Sequence, residues 1–513
     1  MNTKRRTKTT LPAKRVSGKR APARNARYDV VIVGGGPAGS TLGWKLASEG
    51  ADVIILEAAR FPREKVCGDY VEPRGLRILE RMRCLKQLDA GRPLPITHSA
   101  TYIDGKRRYA GKIPFYGLRK DLPPHGYIVP RDILDNLMLQ TAIRAGASVH
   151  QETYATGFTR HGTGVEVQAQ CGEKAAVYRG RLVIGADGVN SIVARTAGLL
   201  AEDPRNIAVS QRAYADGYEG GGEAAFFFDE DCFPGYGWAF PMSRGRVNLG
   251  VGVLLETCQR TDIRVPQLFR DFFEKLKKCH PKCRKLTLCR PPIGGIVKTY
   301  GGAGANYFDG GLLIGDAGSF VDPMTGEGIT PAMESALIAA EVIQSALAAG
   351  RFDAGFLSAY EAAFRRYFDP SMVFLDLCAA TLRNNHLWES WKRALVRGCE
   401  LAQRDARFAR TMGACFGGLE INPPGILAQL WVRLAEGMLF AGPQSAIELL
   451  TGRSGAAVLT FQEMAGWMGG WWKSFLREPL WHTSWVMDVE QKWVRALSAM
   501  SGRATDPRAA GLA

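Results

Sequence analysis

The sequence predicts an α/β protein: a parallel, doubly wound domain interleaved with an antiparallel-sheet domain, followed by a helical C-terminal extension. Three observations predict it. Apolar runs at 30–33 and 53–56 flank a glycine-rich turn and a helical stretch, which is the order of a βαβ unit. Two further apolar runs, at 181–185 and 312–314, each end in glycine and aspartate. Alternating apolar and polar runs fill 96–124 and 201–299, for example 224–228 and 247–253, and such alternation reads as half-buried strands.

The first unit carries the most information. In VVIVGGGPAG (30–39), Gly34 permits a sharp turn, Gly36 lets the backbone approach a pyrophosphate, and Gly39 lets the helix close on the strand. Pro37 and Ala38 lie at the helix start, where free N–H groups and the helix dipole favour an anion. Glu57 ends the second strand, DVIILE, with Ala58 beside it, about 20 residues past the glycines. There it accepts hydrogen bonds from a ribose. The pattern is that of a Rossmann-type dinucleotide-binding domain; a glycine turn of purely structural purpose is the alternative.

Two later segments discriminate between dinucleotides. RLVIGADGVNSIVAR (181–195) places Asp187 and Gly188 at a strand end. LLIGDAGSFVDPMTGEG (312–328) places Gly315 and Asp316 at another, with Gly326, Gly328 and Ile329 opening an Ala-rich helix. An aspartate opposite a helix N-terminus suits the ribityl hydroxyls and flavin ring of FAD, although each aspartate taken alone reads equally well as a helix cap. The three motifs, in this order over about 28–350, resemble the FAD-dependent p-hydroxybenzoate hydroxylase-like superfamily.

A narrower resemblance lies in KVCGDYVEPR (65–74) and PGYGWAFPMSRGRVNLGVG (234–252). Both are similar to segments of the geranylgeranyl reductase family, which carries Lys-x-Cys-Gly and Tyr-x-Trp-x-Phe-Pro. Flavin halogenases carry Trp-x-Trp-x-Ile-Pro at the comparable place, so Tyr236 and Phe240 argue against halogenation. The resemblance implies that Cys67, Gly68 and Arg131 lie near the flavin. It implies an FAD-dependent reductase that saturates C=C bonds of a polyprenyl (geranylgeranyl-type) chain on a lipid, quinone or pigment. The reductant is open between NAD(P)H and ferredoxin, the latter an electron-donor protein. An FAD-dependent monooxygenase (hydroxylase or epoxidase) of an apolar substrate shares the fold and all three nucleotide motifs, and is the alternative.

An isolated alkene is not polarised, so hydride attack alone has nowhere to put charge. Protonation first gives a tertiary cation, which hydride from the reduced flavin then quenches, and aromatic faces stabilise such a cation. Tyr236 and Trp238 alternate with Gly237 and Ala239, so their rings share one strand face with small neighbours between them. They are either the wall of such a cavity or a buried pair in an ordinary sheet. Cys67 is a proton donor or shapes the pocket, with Asp69, Glu72 and Tyr236 as further acids. Lys65, Arg74 and Arg131 suit phosphate or the flavin's anionic N1–C2=O edge.

These assignments divide the chain into a basic tail (1–27), an FAD-binding domain (28–95, 125–200 and 300–350), a substrate-binding sheet (96–124 and 201–299) and a helical, Trp-rich region (351–513). The net charge of +16 is concentrated in the tail: residues 1–27 hold ten Lys/Arg and no acid, leaving +6 for the rest. That distribution argues against nucleic acid as partner. The tail reads as a solvated segment, an arm on an anionic membrane surface, or a targeting segment; it lacks the apolar core of a secretory signal. Eleven cysteines, an odd number, fit a reduced cytoplasmic protein. Cys279, His280, Cys283 and Cys289 resemble half a metal knuckle with no second pair following, so no metal site is expected. Nine of the eleven tryptophans lie beyond 385, with 388/391, 467/471 and 481/485 each on one helix face. They pack a helical cap or form a face lying on the inner side of a membrane. The apolar stretches 425–442 and 454–472 are broken by charges and glycines, so neither is expected to span a bilayer.

Overall fold

The computed structural model describes residues 27–112, 122–162, 164–406, 409 and 472–501. The parallel sheet runs, in spatial order, Gly311–Leu313, Lys174–Gly185, Arg27–Val33, Val53–Leu56 and Ser148–His150. Every neighbouring pair in that run is parallel. Parallel neighbours need a crossover, and the helix Pro37–Ser48 supplies it between the first two strands. Val30, Val31, Ile32, Ile54 and Ile55 are fully buried, which is why these strands read as unbroken apolar runs instead of alternating ones. One face packs against the helices Pro37–Ser48, Arg131–Arg144 and Ile329–Ala349 through residues such as Leu42, Leu139 and Ala336. The other is covered by the strands Thr153–His161 and Gly164–Cys171, whose Ala155, Val165 and Val167 pack on Val31, Val33 and Ile54.

The second large sheet runs Thr287–Leu288, Ile207–Asp216, Arg246–Leu254, Tyr236–Pro241, Glu223–Phe228, His98–Ile103 and Lys106–Lys112, with Ile293–Lys298 also on Ile207–Asp216. The runs 224–228 and 247–253 fall inside two of these strands. The sequence predicts an antiparallel sheet, and one pair departs from it. Glu223–Phe228 and His98–Ile103 are parallel neighbours, because a long excursion through the first domain separates them and no hairpin sets their direction. One face of this sheet is closed by the helix Val265–Cys279 through Phe269, Phe272 and Leu276. A three-stranded sheet, Tyr70–Val71, Gly126–Ile128 and Pro95–Ile96, and the short strand Tyr307–Phe308, antiparallel on Gly311–Leu313 at the edge of the first sheet, complete the strand inventory of the described residues.

Arg27, the last residue assigned to the basic tail, opens the first strand, and residues 1–26 lie outside the described residues. So do Trp431, Trp467, Trp471 and all of the two apolar stretches except Trp472. Among the described residues one helix, Ile329–Ala349, is long and apolar enough to cross a membrane, and 67% of its apolar window is buried in the protein. The last helix, Pro479–Ser501, has its polarity turned inside out. His482, Asp488, Lys492 and Ala496 face inward, while Leu480 (86% exposed), Met487 (54%), Val494 (64%) and Leu497 (56%) face outward. Its inner face is held by charge: Lys492 Nζ lies 2.6 Å from Asp376 Oδ1, and Arg383, itself 2% exposed, donates to Asp488.

Candidate active site

The loop 65–70, the turn 323–328 and the start of the Ile329–Ala349 helix face the second sheet across a cavity of about 220 Å³. Of the residues singled out from sequence, Pro37, Lys65, Cys67, Gly68, Asp69, Glu72, Arg131, Tyr236, Trp238, Asp316, Gly326, Gly328 and Ile329 line it. Gly34, Gly36, Ala38, Gly39, Glu57, Ala58, Asp187, Gly188 and Gly315 are not among its lining residues.

The glycine turn is shaped by backbone clearance. Gly34 has φ +102°, and a Cβ there would lie 2.3 Å from the Ala186 carbonyl oxygen. A Cβ on Gly39 would lie 1.9 Å from the Gly34 carbonyl oxygen. At Gly36 the nearest atom to an added Cβ is an Arg63 nitrogen at 3.6 Å, so the space in front of the turn is open. The helix begins at Pro37 with no side chain capping it, which leaves its first N–H groups for an anion. Glu57 is buried, and its carboxylate accepts from Gly35 N at 2.7 Å and Ala59 N at 2.8 Å. Those bonds orient it and leave lone pairs for a hydroxyl. Ala58 beside it is exposed.

A second helix start faces the cavity. Gly328 caps Ile329–Ala349 without a side-chain bond, and a Cβ there would sit 3.4 Å from Asp316 Oδ1. Asp316 also meets Lys65 Nζ at 3.3 Å. Gly315, at φ +58°, brings this strand end to within 2.9 Å (added Cβ to Ala38 Cβ) of the first helix. Asp187 spends both oxygens on the short helix Ile192–Thr196, accepting from Ser191 Oγ and Ile192 N at 2.6 Å each. That is the capping alternative its motif left open. Gly188, at φ +77°, turns the chain back beside Lys65.

The opposite wall is aromatic. Tyr236 and Trp238 lie 6.1 Å apart between ring centroids, and Phe226, Phe240 and Tyr70 extend the cluster at 5.3 to 6.3 Å. Gly237 does not free space, contrary to the expectation from its size: Phe272 fills that side, 2.5 Å from where a Cβ would be. Room for the indole comes from across the strand pair instead. Gly250 lies opposite Trp238, and a Cβ on it would meet the ring at 2.3 Å. Tyr236 donates its hydroxyl hydrogen to the Thr325 carbonyl, tying the wall to the turn beneath it. Sequence reasoning missed Phe226, which the register sets opposite Trp238. The role of Phe240 was legible, since it follows Trp238 by two residues on the same face.

Asn248 was also missed, and it joins the parts. Its Oδ1 accepts from Trp238 Nε1 at 3.0 Å, while its Nδ2 donates to the Cys67 carbonyl and to Asp69 Oδ2 at 2.9 Å each. Cys67 is held as a neutral thiol by burial. The Arg131 guanidinium and the Asp69 N–H favour its thiolate, and the Asp69 carboxylate opposes it. Arg131 is buried and already bidentate on Asp135, at 2.7 and 2.8 Å, so its charge is matched before any flavin arrives. Arg74 is absent from the cavity lining: it bonds Glu334 at 2.6 Å and Glu72 at 3.1 Å. Burial raises the pKa of Glu72, Glu327 and Asp322 around it. The loop 64–67 is pinned by buried Arg212, which donates to Glu64 Oε1 at 2.9 Å and to the Lys65 carbonyl at 3.0 Å.

Residues 27–213 match the family described as FAD binding domain. Over 333 residues the chain is 31% identical to menaquinone reductase of Mycolicibacterium smegmatis, a span of 63% of this chain and 77% of that one. Over 356 residues it is 30% identical to digeranylgeranylglycerophospholipid reductase 2 of Methanopyrus kandleri, or 68% and 84% of the two chains. The chain belongs to the geranylgeranyl reductase family. This member of the family is therefore an FAD-dependent oxidoreductase, and the open turn at Gly36 and the helix start at Pro37, which no side chain caps, suit that cofactor. A geranylgeranyl bacteriochlorophyll reductase-like structure from Thermoplasma acidophilum has a TM-score of 0.66 at 21% identity, covering 79% of this chain and 99% of its own. The flavin-dependent brominase Bmp2 has 0.63 at 18%, covering 84% and 100%. At such identities the likeness is one of fold, shared by reductases and halogenases alike.

Proposed function

We propose that the protein reduces C=C bonds of a polyprenyl chain carried by a lipid, quinone or pigment, using FAD. The observation that carries this reading is the cluster of five aromatic rings facing the glycine-capped helix start across one apolar cavity. An extended isoprenoid is apolar, and its reacting carbon gains positive charge during reduction; ring faces serve both needs. Bound FAD supplies a hydride, with NAD(P)H or ferredoxin as its reductant. The chain supplies position and a proton. Gly36, Pro37, Glu57, Asp316 and Gly328 hold the cofactor. Tyr236 and Trp238 face the alkene, and the Cys67 thiol gives its proton to the less substituted carbon. The alkene's length is accommodated along Phe226, Phe240 and the aliphatic residues Ile296 and Leu254 of the cavity.

The substrate's chemistry also supports a membrane surface as the place of work. A polyprenyl lipid or quinone resides in a bilayer, and the outward Leu480, Met487, Val494 and Leu497 form an apolar stripe that the interfacial region would cover.

The deciding experiment is anaerobic single turnover of the reduced holoenzyme with a prenylated lipid and a prenylated quinone. Flavin oxidation without oxygen, with two hydrogens added per bond, is expected. Oxidation that requires oxygen and places one oxygen atom in the product would instead establish a monooxygenase.

A further inference from the structure

Asp69 is fully buried at the rim of the cavity, next but one to Cys67. One carboxyl oxygen, Oδ2, is shared by the Tyr214 hydroxyl and Asn248 Nδ2. The other, Oδ1, is buried without a hydrogen-bond partner. The residue has φ +64°, a left-handed conformation that aspartate tolerates better than most side chains. An orphaned carboxyl oxygen in such a place costs stability unless the group is kept as the neutral acid, whose O–H finds an acceptor during function.

The geometry points to Asp69 as the proton store of this site: its carboxyl group returns a proton to Cys67 after the thiol has given its own to the alkene. This rests on the reductase reading above. The atoms balance without further reactants. The Cys67 S–H bond breaks as a C–H bond forms, and bound reduced FAD would supply the hydride that completes the saturated bond. The thiolate left behind then takes the Asp69 proton: O–H breaks, S–H forms, and no electrons change hands. Solvent later reprotonates the carboxylate.

The charged and titratable groups facing Asp69 come from three directions. Tyr214 and Arg212 project from the strand Ile207–Asp216, Arg131 from the helix Arg131–Arg144, and Cys67 from its own loop. Burial is the largest influence on the carboxyl and outweighs the Tyr214 hydrogen bond, Arg212, Asn248 and Arg131, which all lower its pKa, so that the value is raised to about 7. A group with that pKa carries its proton in about half of the molecules at neutral pH and gives it readily to a fresh thiolate, whose own pKa is raised. Arg212 lies 4.2 Å over the Tyr214 ring and fixes the phenol that holds the acid.

Three measurements test this, with dithionite as electron source. In Asp69→Asn the ratio of steady-state to first-turnover rate is expected to fall by about tenfold or more, since recharging is slowed while the first proton is present; a ratio within about twofold of wild type overturns the proposal. The wild-type steady-state rate is expected to decline as pH rises through about 7. Tyr214→Phe moves that decline upward, because the anion loses a donor; an unmoved or downward shift overturns it. Independently of substrate, iodoacetamide labelling of Cys67 in the holoprotein, followed on its own peptide by mass spectrometry, gives the thiol's pKa. Asp69→Asn is expected to lower that pKa, and an unchanged value overturns the coupling. If no prenylated substrate oxidises the reduced wild-type enzyme, the reductase reading falls, and the labelling profile alone decides whether Asp69 and Cys67 share a proton.

Discussion

Trp238 concentrates several demands in one side chain: its indole faces the cavity, its N–H is anchored by Asn248, and its bulk depends on Gly250 opposite. If its ring face stabilises positive charge on the substrate, Trp238→Phe retains most of the effect and Trp238→Leu loses it. The expected difference between the two variants is about 0.5–2 kcal/mol, or about 2- to 30-fold in single-turnover rate per bound FAD. Equal normalised rates for wild type, Phe and Leu would remove the ring from the chemistry. If Glu57 is the ribose acceptor proposed above, Glu57→Ala should leave the cavity intact and weaken FAD retention, read as loss of yellow colour on dilution. The buried acids give a pH signature. Asp69, Glu72, Glu327 and Asp322 all have folded pKa values raised by burial, Asp69 to about 7. A raised folded pKa means that the folded state binds the extra proton. The stability these groups contribute is present below the ordinary carboxylate range and lost as pH rises through the folded values. Each tenfold difference in proton affinity between the folded and unfolded chain is worth about 1.4 kcal/mol. Thermal melts of the apoprotein should therefore show Tm falling between about pH 5 and 8; a rising Tm would mean these carboxyls are ionised and well paired.

Elements whose signal is local were legible in the sequence, and elements set by distant partners were not. The run 30–33 could be read as a buried parallel strand because both its faces are covered, and Gly34 and Gly39 because a Cβ at either would strike backbone oxygen. Gly39→Ala accordingly has no side-chain escape, and we expect insoluble or flavin-free protein from it, whereas Gly36→Ala meets only a flexible arginine and should fold. The parallel pairing of 98–103 with 223–228 left no trace, since neither strand encodes its neighbour's direction. The same limit hid Asn248, which sits 179 positions from Asp69 and acts only through the contact of one sheet with the loop of the other. The terminal helix shows a third case. Its tryptophan spacing left open a packed cap or an outward face, and the fold turns charge inward because Asp376 and Arg383 on and beside Ala359–Leu382 demand charged partners. Asp488→Ala would leave Arg383 with Glu256 and Lys492 with Asp376 but each with one counter-ion fewer, at an expected cost of about 1.5–3 kcal/mol. Early protease cleavage within 479–501 and a lowered Tm would report it; unchanged melting would mean that water replaces the lost carboxylate.

At the scale of the whole molecule, two features of different kinds bear on the membrane surface proposed above. One is charge: ten basic residues without an acid at 1–27, each worth about 1 kcal/mol near an anionic surface. The other is exposed apolar surface on the terminal helix, where Leu480, Met487, Val494 and Leu497 recur at spacings of seven, seven and three residues and so share one side. The two act through separable physics. Electrostatic attraction is screened over about 8 Å at physiological ionic strength, whereas insertion of leucine, methionine and valine is insensitive to moderate salt. Sedimentation with vesicles of phosphatidylcholine and phosphatidylserine divides them. Removing residues 1–26 should weaken binding and abolish most of its salt dependence. Replacing Leu480, Met487 and Val494 by serine should leave the salt dependence and remove the binding that persists at high salt. Each serine replaces an exposed side chain on the face opposite Asp488 and Lys492, so folding and flavin content should be unchanged. Retention of full salt-resistant binding by the triple variant would mean that another segment of the chain covers this stripe, and the helix would then be part of the protein's interior and not its docking face.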